Sequence, residues 1–137
     1  MPRILSIDYG GKRTGLAVTD PLKIIATGLT TIDSKDLISF LKKYFLQEEV
    51  ELMIIGNPKN LDQSDTHATP LVHKAMRELE KEFPQIPLKP VDERFTSKLA
   101  KQAMLDMGMK KKDRRDKKNV DVIAATIMLQ EYMTSFN

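Results

Sequence analysis

The chain contains no cysteine, which removes disulfide frameworks, thiolate zinc sites and cysteine nucleophiles at once. Histidine is nearly as scarce. His67 and His73 are the whole supply, too few for a histidine-rich metal site. No apolar run approaches the roughly 18 residues that a membrane-spanning helix needs. The opening Met1-Pro2-Arg3 and the following Ile4-Leu5-Ser6-Ile7-Asp8 lack a signal peptide's long apolar stretch and small-residue cleavage site. A soluble, cytoplasmic protein with no membrane partner is the expectation. Linker-like stretches and internal repeats are also missing, so the 137 residues are expected to form one domain, 1–137. With 41% apolar and 30% charged residues, the chain can build a core and does not read as disordered.

What is present is unevenly placed. The net charge is only +3, yet residues 110–118 read Lys-Lys-Lys-Asp-Arg-Arg-Asp-Lys-Lys, with seven basic and two acidic side chains. That segment carries +5 and leaves about −2 for everything else. A concentrated basic stretch on a nearly neutral body points to phosphate contacts, with Lys110, Lys111 and Lys112 as the leading candidates. The plain alternative is a solvated loop.

Ile4-Leu5-Ser6-Ile7 reads as a short strand ending on Asp8, and Leu16-Ala17-Val18-Thr19 as a second. The glycine-rich segment between them predicts a hairpin over residues 4–19. A third strand is expected from Ile24 to Ile32, then a helix capped by Ser34, with Leu37, Ile38, Leu41 and Phe45 on its apolar side. Leu52-Met53-Ile54-Ile55 has the profile of a strand buried on both faces. A polar stretch, 57–69, follows it as a candidate functional loop. Thr69-Pro70 opens a helix with Leu71, Val72, Ala75, Met76 and Leu79 on one face. Leu88 to Val91 predicts a strand leading into Asp92-Glu93-Arg94. A helix capped by Thr96 or Ser97 and stopped by Gly108 comes next, and a last helix runs from about Asn119 to Met133. The order β-β-β-α-β-α-β-α-α predicts an α/β fold, a mixed sheet with helices packed against it.

Acids fall where these elements begin or end: Asp8, the pair Asp92-Glu93, and Asp121 in the first turn of the last helix. Ligands of open α/β sheets gather outside the carboxyl ends of parallel strands. On the last helix, Asp121, Ala125, Met128 and Tyr132 share a stripe, which turns Asp121 toward the sheet. Small Ala124 and Ala125 let that helix approach closely. Three carboxylates on one rim repel one another unless a cation neutralises them. Oxygen ligands without any thiol suit Mg²⁺ or Mn²⁺, and such a cluster can serve phosphodiester hydrolysis with two ions about 3.5–4 Å apart. The plain alternative is that each acid separately ends a strand or caps a helix.

Four segments in order, Ile7-Asp8-Tyr9-Gly10-Gly11-Lys12-Arg13-Thr14-Gly15, Gly56-Asn57-Pro58-Lys59, Asp92-Glu93-Arg94-Phe95-Thr96-Ser97 and Val120-Asp121-Val122-Ile123-Ala124-Ala125, resemble the successive motifs of the YqgF family. These are Holliday-junction-resolvase-like proteins, also described as pre-16S rRNA nucleases. The resemblance runs from residue 4 to about 132 and implies a ribonuclease H-like fold. It implies divalent-metal ligands at Asp8, Glu93 and Asp121, and substrate-phosphate contacts at Lys12, Arg13 and Arg94. Gly10 and Gly15 match its turn positions. Where the family commonly has Gly-Leu-Pro, this chain has Gly56-Asn57-Pro58. Neighbouring strand residues point to opposite faces, so Asp92 is the alternative to the favoured Glu93.

His67 in a polar loop and His73 opposite a helix's apolar face read as solvated residues, and the eight methionines as core filler. Three functions compete. The leading one is a metal-dependent nuclease acting on structured nucleic acid, an rRNA precursor ahead of branched DNA. The second is an ATP-binding module, because Asp8 to Gly15 resembles the phosphate hairpin of actin-like kinases; that fold needs a second domain for which 137 residues leave no room. The third is a nucleic-acid-binding factor without catalysis, against which the full acidic set argues.

Overall fold

The computed structural model describes residues 2–20, 22–57, 69–92, 102, 105, 108 and 117–134. Its elements are β1 (Arg3–Tyr9), β2 (Arg13–Thr19), β3 (Ala26–Asp33), a short 3₁₀ turn (Ser34–Asp36), α1 (Leu37–Gln47), β4 (Val50–Asn57), α2 (Thr69–Glu82), β5 (Leu88–Asp92) and α3 (Lys117–Thr134). The five strands form one sheet in the order β3-β2-β1-β4-β5. β1, β2 and β3 pair antiparallel as a meander, while β4 and β5 run parallel to β1. The carboxyl ends of β1, β4 and β5 therefore share one rim, together with the Arg13 end of β2.

Alternation along the strands divides the core in two. Leu5, Ile7, Leu16, Val18, Met53 and Ile55 face α1 and α2, where they meet Leu37, Leu41, Val72, Ala75 and Leu79. Ile4, Ala17 and Ile54 face the other way, onto Ala125, Met128, Leu129 and Met133 of α3. Both faces of the central strands are covered, which explains the unbroken apolar run Met53-Ile54-Ile55, all fully buried. An edge-to-face contact between Phe45 and Phe83 and an ion pair between Lys42 and Glu82 join α1 to the α2 end of that layer.

Three local expectations need correction. β3 begins at Ala26, two residues later than Ile24, because the Asp20 carboxylate accepts the backbone N–H groups of Leu22, Ile24 and Ile25. Those donors are spent on a turn, closed further by Lys23 in the left-handed region at φ 58°. Ser34 does not cap a helix. Its buried hydroxyl donates to the Gly10 carbonyl and shares a 2.7 Å hydrogen bond with the Thr14 hydroxyl, so it ties β3 to the hairpin turn, and α1 starts at Leu37. Finally, α3 starts at Lys117 rather than Asn119, which moves Asp121 out of the first turn.

Leu71, expected on the apolar face of α2, is 46% exposed and lies outside the core that Val72, Ala75 and Leu79 join; the following expectations hold. The hairpin, the buried β4, α2 with its start at Thr69, and β5 all form. Gln102 and Leu105 are helical, and Gly108, at φ 72°, donates its N–H to the Leu105 carbonyl as a left-handed helix stop. The polar stretch after Asn57, with His67, lies outside the described residues. His73 is exposed, as expected of a surface residue.

Candidate active site

The strand period places Asp8 on the α3 face of β1, in phase with Ile4 and Ser6. Ser6 donates its hydroxyl to the Ala125 carbonyl of α3 at 2.9 Å, wholly buried. Asp8 itself is half-buried and sits opposite Gly15 in the antiparallel register. Gly15 in turn lies directly under α3: a Cβ built on it would come 2.1 Å from the Asp121 carbonyl oxygen and 3.0 Å from the Val122 nitrogen. Gly28 on β3 plays the same part beneath Val122, whose Cγ1 a Cβ would meet at 2.6 Å. With Ala124 and Ala125 buried on the helix side, backbone meets backbone. The amino-terminal half of α3 is thereby pressed against the carboxyl rim of the sheet, and Asp121 stands one strand away from Asp8.

The motif match makes Gly15 a turn glycine, but it lies inside β2 and its missing side chain seats the helix. Gly10 is the turn glycine, since a Cβ there would collide with the Arg13 carbonyl at 2.6 Å. A lone glycine inside an apolar strand pattern is the usual sign of close backbone approach. The Gly15 and Gly28 seats are open to that reading from sequence, whereas the partner element is not.

Arg13 opens β2 on the same face as Gly15 and Ala17. Its Nε donates to Asp121 Oδ2 at 2.9 Å, with the two side chains 24% and 21% exposed. Asp121 is therefore no helix cap; its carboxylate is turned to the sheet and already faces a cation. Lys12, one residue earlier in the turn, is exposed. Tyr9 belongs to the opposite face, packed against the α1/α2 core. Burial first, and then the Glu78 carboxylate, push its phenol above the usual value, so it stays neutral and offers no base near Asp8.

Donor chemistry at this corner suits a hard cation: Asp8 and Asp121 offer carboxylate oxygens, and the Arg13 guanidinium stands in as positive charge against one of them. Among the described residues no three acidic or histidine side chains group closely enough to hold a metal ion. The third expected ligand, Glu93, lies outside them, as do Arg94, Lys110, Lys111 and Lys112. β5 is described as far as Asp92, paired with Asn57 at the same rim. A cleft of about 740 Å³ lined by Ile4, Lys23, Ile24, Leu52 and Met133 lies at the other end of the sheet, away from the acids.

A family model described as RuvX, Holliday junction resolvase, matches residues 2–135. This chain belongs to the RuvX family. Membership makes it a nuclease, a hydrolase of phosphodiester bonds. A relative from Flavobacterium psychrophilum, named "Putative pre-16S rRNA nuclease", is 52% identical over 134 residues, 98% of either chain. Among solved structures, the RuvX chain is similar to the Fowlpox virus resolvase in its complex with Holliday junction DNA, with a TM-score of 0.61 at 12% identity over 98% of each chain. It is also similar to RuvC of T. thermophilus with a Holliday junction substrate, with a TM-score of 0.59 at 15% identity over 99% of this chain and 96% of that one. These two likenesses are of fold, and with the 3-2-1-4-5 sheet they bear out the ribonuclease H-like architecture read from the motifs. No helix among the described residues is long and apolar enough to cross a membrane.

Proposed function

We propose that residues 1–137 act as one endonuclease domain that trims the 5′ end of pre-16S rRNA in the cytoplasm, with Mg²⁺ or Mn²⁺ as cofactor. The observation that carries this reading is that Asp8 and Asp121, from opposite ends of the chain, both adjoin Gly15, one as its partner in the strand register and the other through its backbone carbonyl. Close relatives named for pre-16S rRNA support the choice of substrate.

Asp8, Glu93 and Asp121 are the proposed ligands. Lys89 and Val91 of β5 face α3, one over the Tyr132 ring and the other against the α3 core. Of the Asp92-Glu93 pair, Glu93 is the proposed third acid, as the family motif implies. A divalent ion held by these carboxylates supplies Lewis-acid neutralisation of the charge that develops on the phosphodiester as water attacks. The chain's own residues do the rest. Lys12, which is exposed, Arg94 and the Lys110–Lys112 run bind backbone phosphates, while the Gly15 seat holds Asp121 in place against the sheet.

Incubation of the pure protein with end-labelled pre-16S rRNA, with Mg²⁺, Mn²⁺ or EDTA, tests the proposal. Cleavage in the 5′ leader that EDTA abolishes is the expected result. The family description favours one second reading, a resolvase acting on branched DNA. A labelled four-way junction in the same assay decides between them, and binding without cleavage of either substrate marks a non-catalytic factor.

A further inference from the structure

The Arg13–Asp121 pair joins a guanidinium to a carboxylate that the proposed function assigns to a divalent cation. Its geometry is tight, at 2.9 Å, and both groups are partly withdrawn from solvent. Arg13 shares its face of β2 with Gly15, the register partner of Asp8, so its pair with Asp121 lies on the strand next to Asp8. Like charges brought that close repel, and partial burial weakens the screening that water would provide.

We infer that Arg13 is a built-in counter-cation of this site: it holds Asp121 in position while no metal is bound, and it lowers the affinity for the divalent ion that later takes that carboxylate. The inference rests on the metal reading above and adds a positioning residue to it. Arg13 acts through Asp121 rather than on the substrate. Its departure from the pair has to accompany cation binding, so the site discriminates in favour of ions charged strongly enough to displace an arginine.

Calorimetric titration of Mn²⁺ into nucleic-acid-free protein tests this, on the wild type, Arg13→Gln and Arg13→Lys, each checked for native circular dichroism. Arg13→Gln should bind Mn²⁺ about tenfold more tightly than wild type. Arg13→Lys keeps the charge and should stay within about threefold of wild type, which keeps the idea open to refutation even if the glutamine variant fails to fold. A purely structural role predicts weaker binding in both variants. Equal or weaker binding by Arg13→Gln, or tenfold tighter binding by Arg13→Lys, would overturn the inference while leaving the metal site intact. Absence of Mn²⁺ binding by the wild type would overturn the parent reading and this one with it.

Discussion

Gly15 and Asp121 touch through their backbones: the carbonyl oxygen of Asp121 occupies the space that a side chain on Gly15 would need, 2.1 Å from its Cβ position. The contact unites helix packing with site assembly, because the strand that bears Gly15 also pairs with Asp8. Gly15→Ala should therefore push α3 off the sheet. The expected cost is at the upper end of the roughly 1–3 kcal/mol of overpacked cores, or beyond it, since backbone and not a flexible side chain must move. Urea denaturation measures it. Gly11→Ala is the control, for its Cβ would only reach ordinary contact with Leu71 Cδ1 at 3.4 Å, and it should shift stability by less than about 0.5 kcal/mol.

Asp121→Asn preserves shape but removes the charge shared with Arg13. The pair is partly exposed, so the loss of stability should stay within about 1 kcal/mol. Binding to nucleic acid should persist or improve, because one negative charge near the phosphates is gone. The cleavage rate should fall by orders of magnitude, as expected when several kcal/mol of charge stabilisation disappear. Single-turnover cleavage beside a gel-shift titration reads both quantities on one substrate, and a wild-type rate would remove Asp121 from the site.

Replacing Lys110, Lys111 and Lys112 together by alanine tests the basic run. If these lysines neutralise phosphates, affinity should drop, and the slope of log K against log salt should flatten by about 0.7–0.9 for each phosphate left without its lysine. An unchanged slope would make the run a solvated surface.

The Asp20 turn predicts a response to acid. Backbone N–H groups, that of Ile25 foremost and then Ile24 and Leu22, hold the Asp20 carboxyl below its ordinary value of 3.8. A depressed folded-state value means that the carboxylate stabilises the fold above the unfolded-state pKa, and that this contribution fades as pH falls through the folded value. Asp20→Asn should lose stability at neutral pH and show a shallower acid limb than wild type. Thermal unfolding followed from about pH 6 to about pH 2 checks it. Parallel curves for the two proteins would contradict it.

Local chemistry carries much of this fold, and distance hides the rest. The hairpin announces itself through Gly10 beside a polar turn, β4 through an apolar run, and α2 through Thr69-Pro70, since each signal lies within a few residues of the element it marks. Ser34 shows where such reading ends. A serine ahead of Leu37, Ile38 and Leu41 carries the signature of a helix cap, yet its hydroxyl is used by Gly10 and Thr14 across the sheet. Asp8 and Asp121 are legible as acids at element ends. That Arg13 bonds Asp121 is not legible, because 108 positions separate them and only the docking of α3 over Gly15 and Gly28 brings them together. The family motifs imply a substrate-phosphate role for Arg13, and the observed pair adds a carboxylate contact that they do not announce.

On the proposed function, the acids at the carboxyl rim perform phosphodiester cleavage with a divalent cation. The most direct measurement is the single-turnover rate on end-labelled pre-16S rRNA for the wild type and for Asp8→Asn, each with Mn²⁺ and with EDTA, at protein concentrations that saturate binding. Cleavage by the wild type with Mn²⁺ alone is expected, with a rate for Asp8→Asn lower by at least about a hundredfold despite unchanged binding. Equal rates for the two proteins, or wild-type cleavage that survives EDTA, would contradict it.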